Sequence, residues 1–132
     1  MYELKPNDDA LCIYWDKCKH WFDKFDLNVS YAEFAEKYNG FDIYGLYCDN
    51  ELCGCLFFVP ENGGYVFHVA VDDSHRGKWW FFWKNTVKTW ALDKYKNVRG
   101  VAHISDIKVN KLMRKSGFKF LEYDNGFLWW AL

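Results

Sequence analysis

Residues 74–83 read Ser-His-Arg-Gly-Lys-Trp-Trp-Phe-Phe-Trp. A glycine between two cations suits an anion. The absent side chain lets a ligand reach the backbone, and Arg76 and Lys78 offer charge-assisted donors. Such a turn usually opens onto small residues, whereas this one opens onto five aromatics, Trp79 to Trp83. It reads as a ligand-binding turn, as one that has been filled in, or as core. Other constellations offer less chemistry. Cys48, Cys53 and Cys55 cluster, but their separations match no zinc spacing and His68 lies awkwardly for a fourth ligand, so small buried thiols on strands are expected and no metal. No Ser-His-Asp order or nucleophile elbow is visible. Asp72-Asp73 reads as a solvated turn, and Trp129-Trp130 as a cover for a sheet rather than a sugar platform.

Composition narrows the classes. A chain of 132 residues is long enough for one core and short for two ordinary domains. Formal net charge is −1, so no global basic field exists for phosphate backbones, and no nucleic-acid partner is expected. Lys108, Lys111, Arg114 and Lys115 form the one dense basic run. Aromatics make up 22% of the chain, more than so small a core needs, so some should mark an interface with a protein partner or a second copy. The longest apolar run, Trp79–Trp83, is far too short to span a bilayer, and no membrane association is expected. Five cysteines, an odd number, and an acidic N-terminus without an apolar signal core predict a cytoplasmic protein with reduced thiols.

Periodicity supplies the elements that must position these residues. Leu11, Tyr14, Trp15, Cys18, Trp21, Phe22 and Phe25 fall at helical spacing within residues 8–25, with Asp8 or Asp9 as cap. Ser30 and Glu33 form a capping box for a short helix ending at Gly40. Residues 41–48 and 52–59 are strand-like runs separated by Asp49-Asn50-Glu51, and Pro60 to Gly64 makes a second turn before a third strand, 65–71. A first strand is expected within Tyr2–Leu4. Residues 75–96 return to helical spacing on a stripe of Trp80, Trp83, Val87, Trp90/Ala91 and Lys94/Tyr95. A strand at 98–104 and a short helix stopped at Ser116-Gly117 follow. A final hairpin, 118–123 and 127–132, turns on Asp124-Asn125-Gly126.

From about residue 40 onward this order resembles the GNAT N-acetyltransferase superfamily. Two motifs carry the resemblance: Val69 to Lys78, similar to the end of the family's fourth strand and its cofactor turn, and Arg114-Lys115-Ser116-Gly117-Phe118, similar to the sequence closing its last helix. The resemblance implies one α/β domain over residues 1–132, with a mixed, mostly antiparallel sheet flanked by helices. Strands 65–71 and 98–104 should run parallel and diverge. It implies acetyl-CoA as cofactor, with its pyrophosphate on the turn, and Val69, Val71, Arg76, Gly77, Lys78, Trp79, Trp80 and Phe81 as the cofactor-binding residues. Trp79 and Phe81 stand where the family has glycine or alanine, so they are expected to crowd the anion or to face outward with Phe82 as an interface, while Trp80 and Trp83 enter the core. His68, three residues before Val71, takes the place of a general base. Met113 stands where many members place a proton-donating tyrosine, and Asp106 where they often have Asn. The acceptor would be a small-molecule or protein amine. The alternative is a member without catalysis, of the kind phages encode, that binds or assembles through its aromatics.

Overall fold

The computed structural model describes residues 1–24 and 27–132. Phe25, assigned above to the first helical stripe, lies outside the described residues, as does the side chain of Trp21.

Seven strands form one mixed sheet: β1 (Tyr2–Pro6), β2 (Asp42–Cys48), β3 (Glu51–Glu61), β4 (Gly64–Val71), β5 (Val98–His103), β6 (Lys119–Asp124) and β7 (Phe127–Ala131), in the order β1-β2-β3-β4-β5-β7-β6. Two-residue turns set three registers. Asp49-Asn50, Asn62-Gly63 and Asn125-Gly126 separate their strands, and all six residues have φ between 49° and 89°. Hairpins need this left-handed geometry, and Asn and Gly tolerate it best. β1–β2, β2–β3, β5–β7 and β6–β7 pair antiparallel. β4 and β5 pair parallel at Tyr65–Val98 and Val66–Arg99. Among the described residues that ladder goes no further, while β5 stays paired to β7 as far as His103–Phe127. The expected parallel neighbours are therefore present, and their pairing stops two residues in.

The chain divides into two compact units. The first comprises Met1–Val59 and His68–Arg76. In it α1 (Leu11–Lys24) and α2 (Tyr31–Lys37) bury Leu11, Phe34 and Tyr38 against Ile43, Cys55 and Phe57. The cap before α1 is Asn7 rather than Asp8 or Asp9: a 3-10 turn occupies Asp8–Ala10, and the Asn7 side chain accepts from Asp9 N–H at 3.0 Å. Ser30 caps α2 as expected, accepting from Glu33 N–H at 3.2 Å.

The second unit comprises Pro60–Phe67 and Gly77–Leu132. The single helix expected over 75–96 is three segments: α3 (Arg76–Phe82), a π turn (Trp83–Val87) and α4 (Lys88–Lys94). Within the π turn Lys88 N–H bonds the carbonyl of Trp83, five residues back. The buried stripe is Trp79, Trp83, Val87, Ala91 and Tyr95, not the stripe through Trp80. Its step is four residues throughout. An α-helix drifts about 40° per such step, and one wider π turn offsets part of that drift. Phe67, Trp83 and Phe118 stack beneath it, with centroids 5.2 to 6.4 Å apart. α5 (Ile107–Lys115) is capped by Asp106, which accepts from Val109 N–H, and it ends at Gly117 with φ 96°.

Candidate active site

In the first unit, α1 is fastened to β4 and to the turn that follows it. The Tyr14 hydroxyl meets His68 Nδ1 at 2.9 Å. One turn later, Lys17 Nζ reaches Asp73 Oδ1 at 2.9 Å. His68 also stacks on Phe57 with centroids 4.7 Å apart and packs near Tyr38. Burial, aided by the Lys37 charge, pushes its imidazole down to about 4. Burial also raises the Tyr14 phenol well above its ordinary value. Near neutral pH, then, two uncharged groups share this hydrogen bond. Val69 is half-buried and Val71 buried, so both serve as strand side chains.

Beyond Val71 the chain coils at once. Asp72 N–H bonds the Cys53 carbonyl at 2.9 Å, ending the strand. A 3-10 turn over Asp73–His75 then spends the His75 N–H on Asp72 O and the Arg76 N–H on Asp73 O. Tyr2 braces this turn through its hydroxyl, 2.8 Å from His75 Nδ1. Two amides in the region expected to cradle an anion are thus already bonded. Cationic side chains remain. Arg76 reaches Asp73 Oδ1 at 3.0 Å, the same oxygen that Lys17 holds. The paired cations keep the Asp73 carboxyl below the usual carboxylate range, the Lys17 hydrogen bond contributing most.

In the second unit Gly77 and Lys78 open α3, and Lys78 is exposed. Gly77 needs no left-handed backbone, and a Cβ added there meets nothing within 4 Å. The aromatics that follow divide differently from the expectation. Trp79, assigned to the mouth or an interface, is buried and lies edge-on to Trp83 with centroids 5.9 Å apart. Trp80, assigned to the core, is half-buried under Lys84, and its Nε1 is a buried donor with no hydrogen-bond partner among the described residues. Phe81 points outward, 61% exposed, and Phe82 is half-buried. The reason is the four-residue step of the π-containing helix, which rotates Trp79 inward, so that it does not form the expected plug. Within this unit, the open Gly77 and the exposed Lys78 are groups that would suit an anionic ligand.

Met113 packs on β5: a Cβ on Gly100 would lie 2.6 Å from its terminal methyl. Asp106 acts as a helix cap. Asn110, which the sequence reading passed over, is buried, donates to the carbonyls of His103 and Asp106 and accepts from Trp130 Nε1 at 2.9 Å. Tyr14 and Lys17 were also missed. Tyr14 looked like one more apolar helical position, and a lysine on a helix carries no local signal of its partner. Cys53 and Cys55 are buried strand thiols, pushed up to about 11 and 12 chiefly by burial. Among the described residues no group of three or more His, Cys, Asp or Glu could hold a metal ion, and no helix is long and apolar enough to cross a membrane.

The fold is that of the GNAT N-acetyltransferases. Campylobacter jejuni N-acetyltransferase PseH, solved with acetyl coenzyme A, superposes with a TM-score of 0.67 at 17% identity, covering 100% of this chain and 98% of that one. The Vibrio cholerae spermidine N-acetyltransferase, solved with CoA and spermine, gives 0.68 at 14% identity over 99% and 94% of the two chains. A Salmonella typhimurium acetyltransferase that modifies the N-terminal serine of a 50S ribosomal subunit protein gives 0.67 at 20% identity over 99% and 94%. No protein-family model matches the sequence, and no curated protein does.

Proposed function

We propose that this chain is an acetyl-CoA-dependent N-acetyltransferase acting on a small-molecule or protein amine. Gly77 carries the reading. A glycine in a helix costs up to about 1 kcal/mol relative to alanine, and less in the first turn, where Gly77 lies. Neither a positive φ nor a close neighbour requires one at Gly77, so a ligand drawn close to the backbone explains it best. The short parallel pairing of β4 and β5 and the acetyl coenzyme A in PseH support the same ligand.

Acetyl-CoA would supply an activated acetyl thioester. Arg76, Gly77 and Lys78 would hold its pyrophosphate, with Val69 and Val71 beside it on β4. His68 acts as the base. The role requires the tautomer in which Nδ1–H donates to the Tyr14 oxygen, leaving Nε2 to take the amine's proton through water. At about 4 its pKa leaves it deprotonated but weakly basic. Met113 gives no proton, so the thiolate leaves unassisted by that position.

Calorimetry with acetyl-CoA and release of CoA thiol over a panel of amines test the reading. Micromolar binding and turnover are expected, with His68→Gln lowering kcat/KM by about 10²-fold. A wild-type chain that does not bind acetyl-CoA overturns the proposal. Met113 favours a second reading, a catalytically degenerate protein with a binding or structural role through its exposed aromatics, which needs neither acetyl-CoA binding nor turnover on any amine.

A further inference from the structure

Asp73 Oδ1 lies between two cations, Lys17 Nζ at 2.9 Å and the Arg76 guanidinium at 3.0 Å. One carboxylate oxygen shared by an ammonium and a guanidinium reproduces the surroundings of a bound phosphate oxygen. The arrangement is fixed from three sides. Tyr14 ties α1 to His68, which places Lys17 one turn further along, beside Asp73. Tyr2 holds His75 at 2.8 Å, and the 3-10 turn commits Arg76 N–H to Asp73 O. Lys17 is the least exposed of the trio, with 33% of its side chain open against 76% for Asp73 and 64% for Arg76. Asp73 is the most exposed of the three and the partner a ligand would displace: exposed ion pairs are weak, and a phosphate group brings more charge than one carboxylate.

We propose that Lys17 and Arg76 form a phosphate-oxygen site in which the Asp73 carboxylate stands in for the ligand and is displaced by it. Lys17 is then a cofactor-binding residue contributed by α1, outside the glycine-containing turn. The proposal rests on the reading of the protein as a user of acetyl-CoA but is tested apart from turnover. No covalent step is involved; the exchange moves one carboxylate into water and one phosphate onto two cations.

The test is calorimetric titration of the full chain with inorganic pyrophosphate, CoA and dephospho-CoA. Wild type is compared with Lys17→Met, Lys17→Arg, Asp73→Asn and Asp72→Asn. Asp72 is the control, since among the described residues its carboxylate makes no ion pair. Asp73→Asn should tighten CoA binding roughly three- to tenfold, Lys17→Met should weaken it by a similar factor, and Lys17→Arg should restore it. Asp72→Asn should change it less than twofold. A Lys17 effect that vanishes with dephospho-CoA assigns the site to the 3′-phosphate. One that persists with pyrophosphate assigns it to the pyrophosphate. Equal gains from Asp72→Asn and Asp73→Asn would mean general charge and overturn the displacement. Unchanged CoA affinity in Lys17→Met overturns the site while leaving the acetyl-CoA reading intact. Lys17-dependent pyrophosphate binding with no acetyl-CoA binding does the reverse.

Discussion

Burial and the Lys37 charge push the His68 imidazole from 6.5 down to about 4, and the consequence for stability has a definite sign. Above pH 6.5 the residue is neutral whether the chain is folded or not. Between pH 6.5 and 4 the unfolded chain binds a proton there and the folded chain does not. Stability therefore falls as pH falls through that window, by up to about 3 kcal/mol, and is unaffected by this group at higher pH. Denaturant midpoints at pH 7 and pH 5 should differ in the wild type and differ much less in His68→Phe, whose ring can keep the stack on Phe57. Equal pH dependence in both would show that His68 is protonated in the fold. His68 and Gly77 stand out in the sequence because their types suggest chemistry. Tyr14, Lys17 and Asn110 do not, because each acquires its role from a partner 54, 56 or 20 residues away.

At the scale of the element, the cofactor turn separates stability from binding. Gly77 has space for a methyl group and an ordinary backbone, so Gly77→Ala should raise stability by roughly 0.5–1 kcal/mol while weakening acetyl-CoA binding. Thermal melts with and without ligand check both halves, and a variant that gains stability and keeps full affinity would remove the reason for the glycine. The aromatics divide similarly. Trp79→Ala empties a buried site against Trp83 and should cost about 3–5 kcal/mol, whereas Phe81→Ser, on an exposed ring, should cost under about 1 kcal/mol. Comparable losses at both positions would contradict the inward rotation. Much of this level was legible beforehand. Short strand-like runs bounded by Asn-containing turns gave the hairpins and their order because those signals are local. The helical stripe was misread because a period of 3.6 was assumed throughout, and a π turn depends on packing that no short run of residues announces. The bonded amides of the Asp73–His75 turn were hidden for the same reason.

At the scale of the molecule, the chain has two compact units but a length suited to one ordinary domain. β3 runs from Glu51 to Glu61 and β4 from Gly64 to Val71, and the boundary between the units falls within each of them, after Val59 and after Phe67. A strand is one hydrogen-bonded element, and half of it cannot leave its ladder without baring backbone groups in the other half. We therefore expect residues 1–132 to unfold as one domain in a single cooperative transition. The sequence provides two separate reporters. All five cysteines lie in the first unit, with Cys53 and Cys55 buried on β3, whereas six of the eight tryptophans lie in the second. Thiol labelling of Cys53 and Cys55 and tryptophan fluorescence, followed across the same urea series, should give coincident midpoints. Fluorescence lost at a lower urea concentration than thiol protection would mean that the second unit unfolds alone. The one-domain reading would then fall, and Gly77 and Lys78 would belong to a part of the chain that melts without His68 and Arg76.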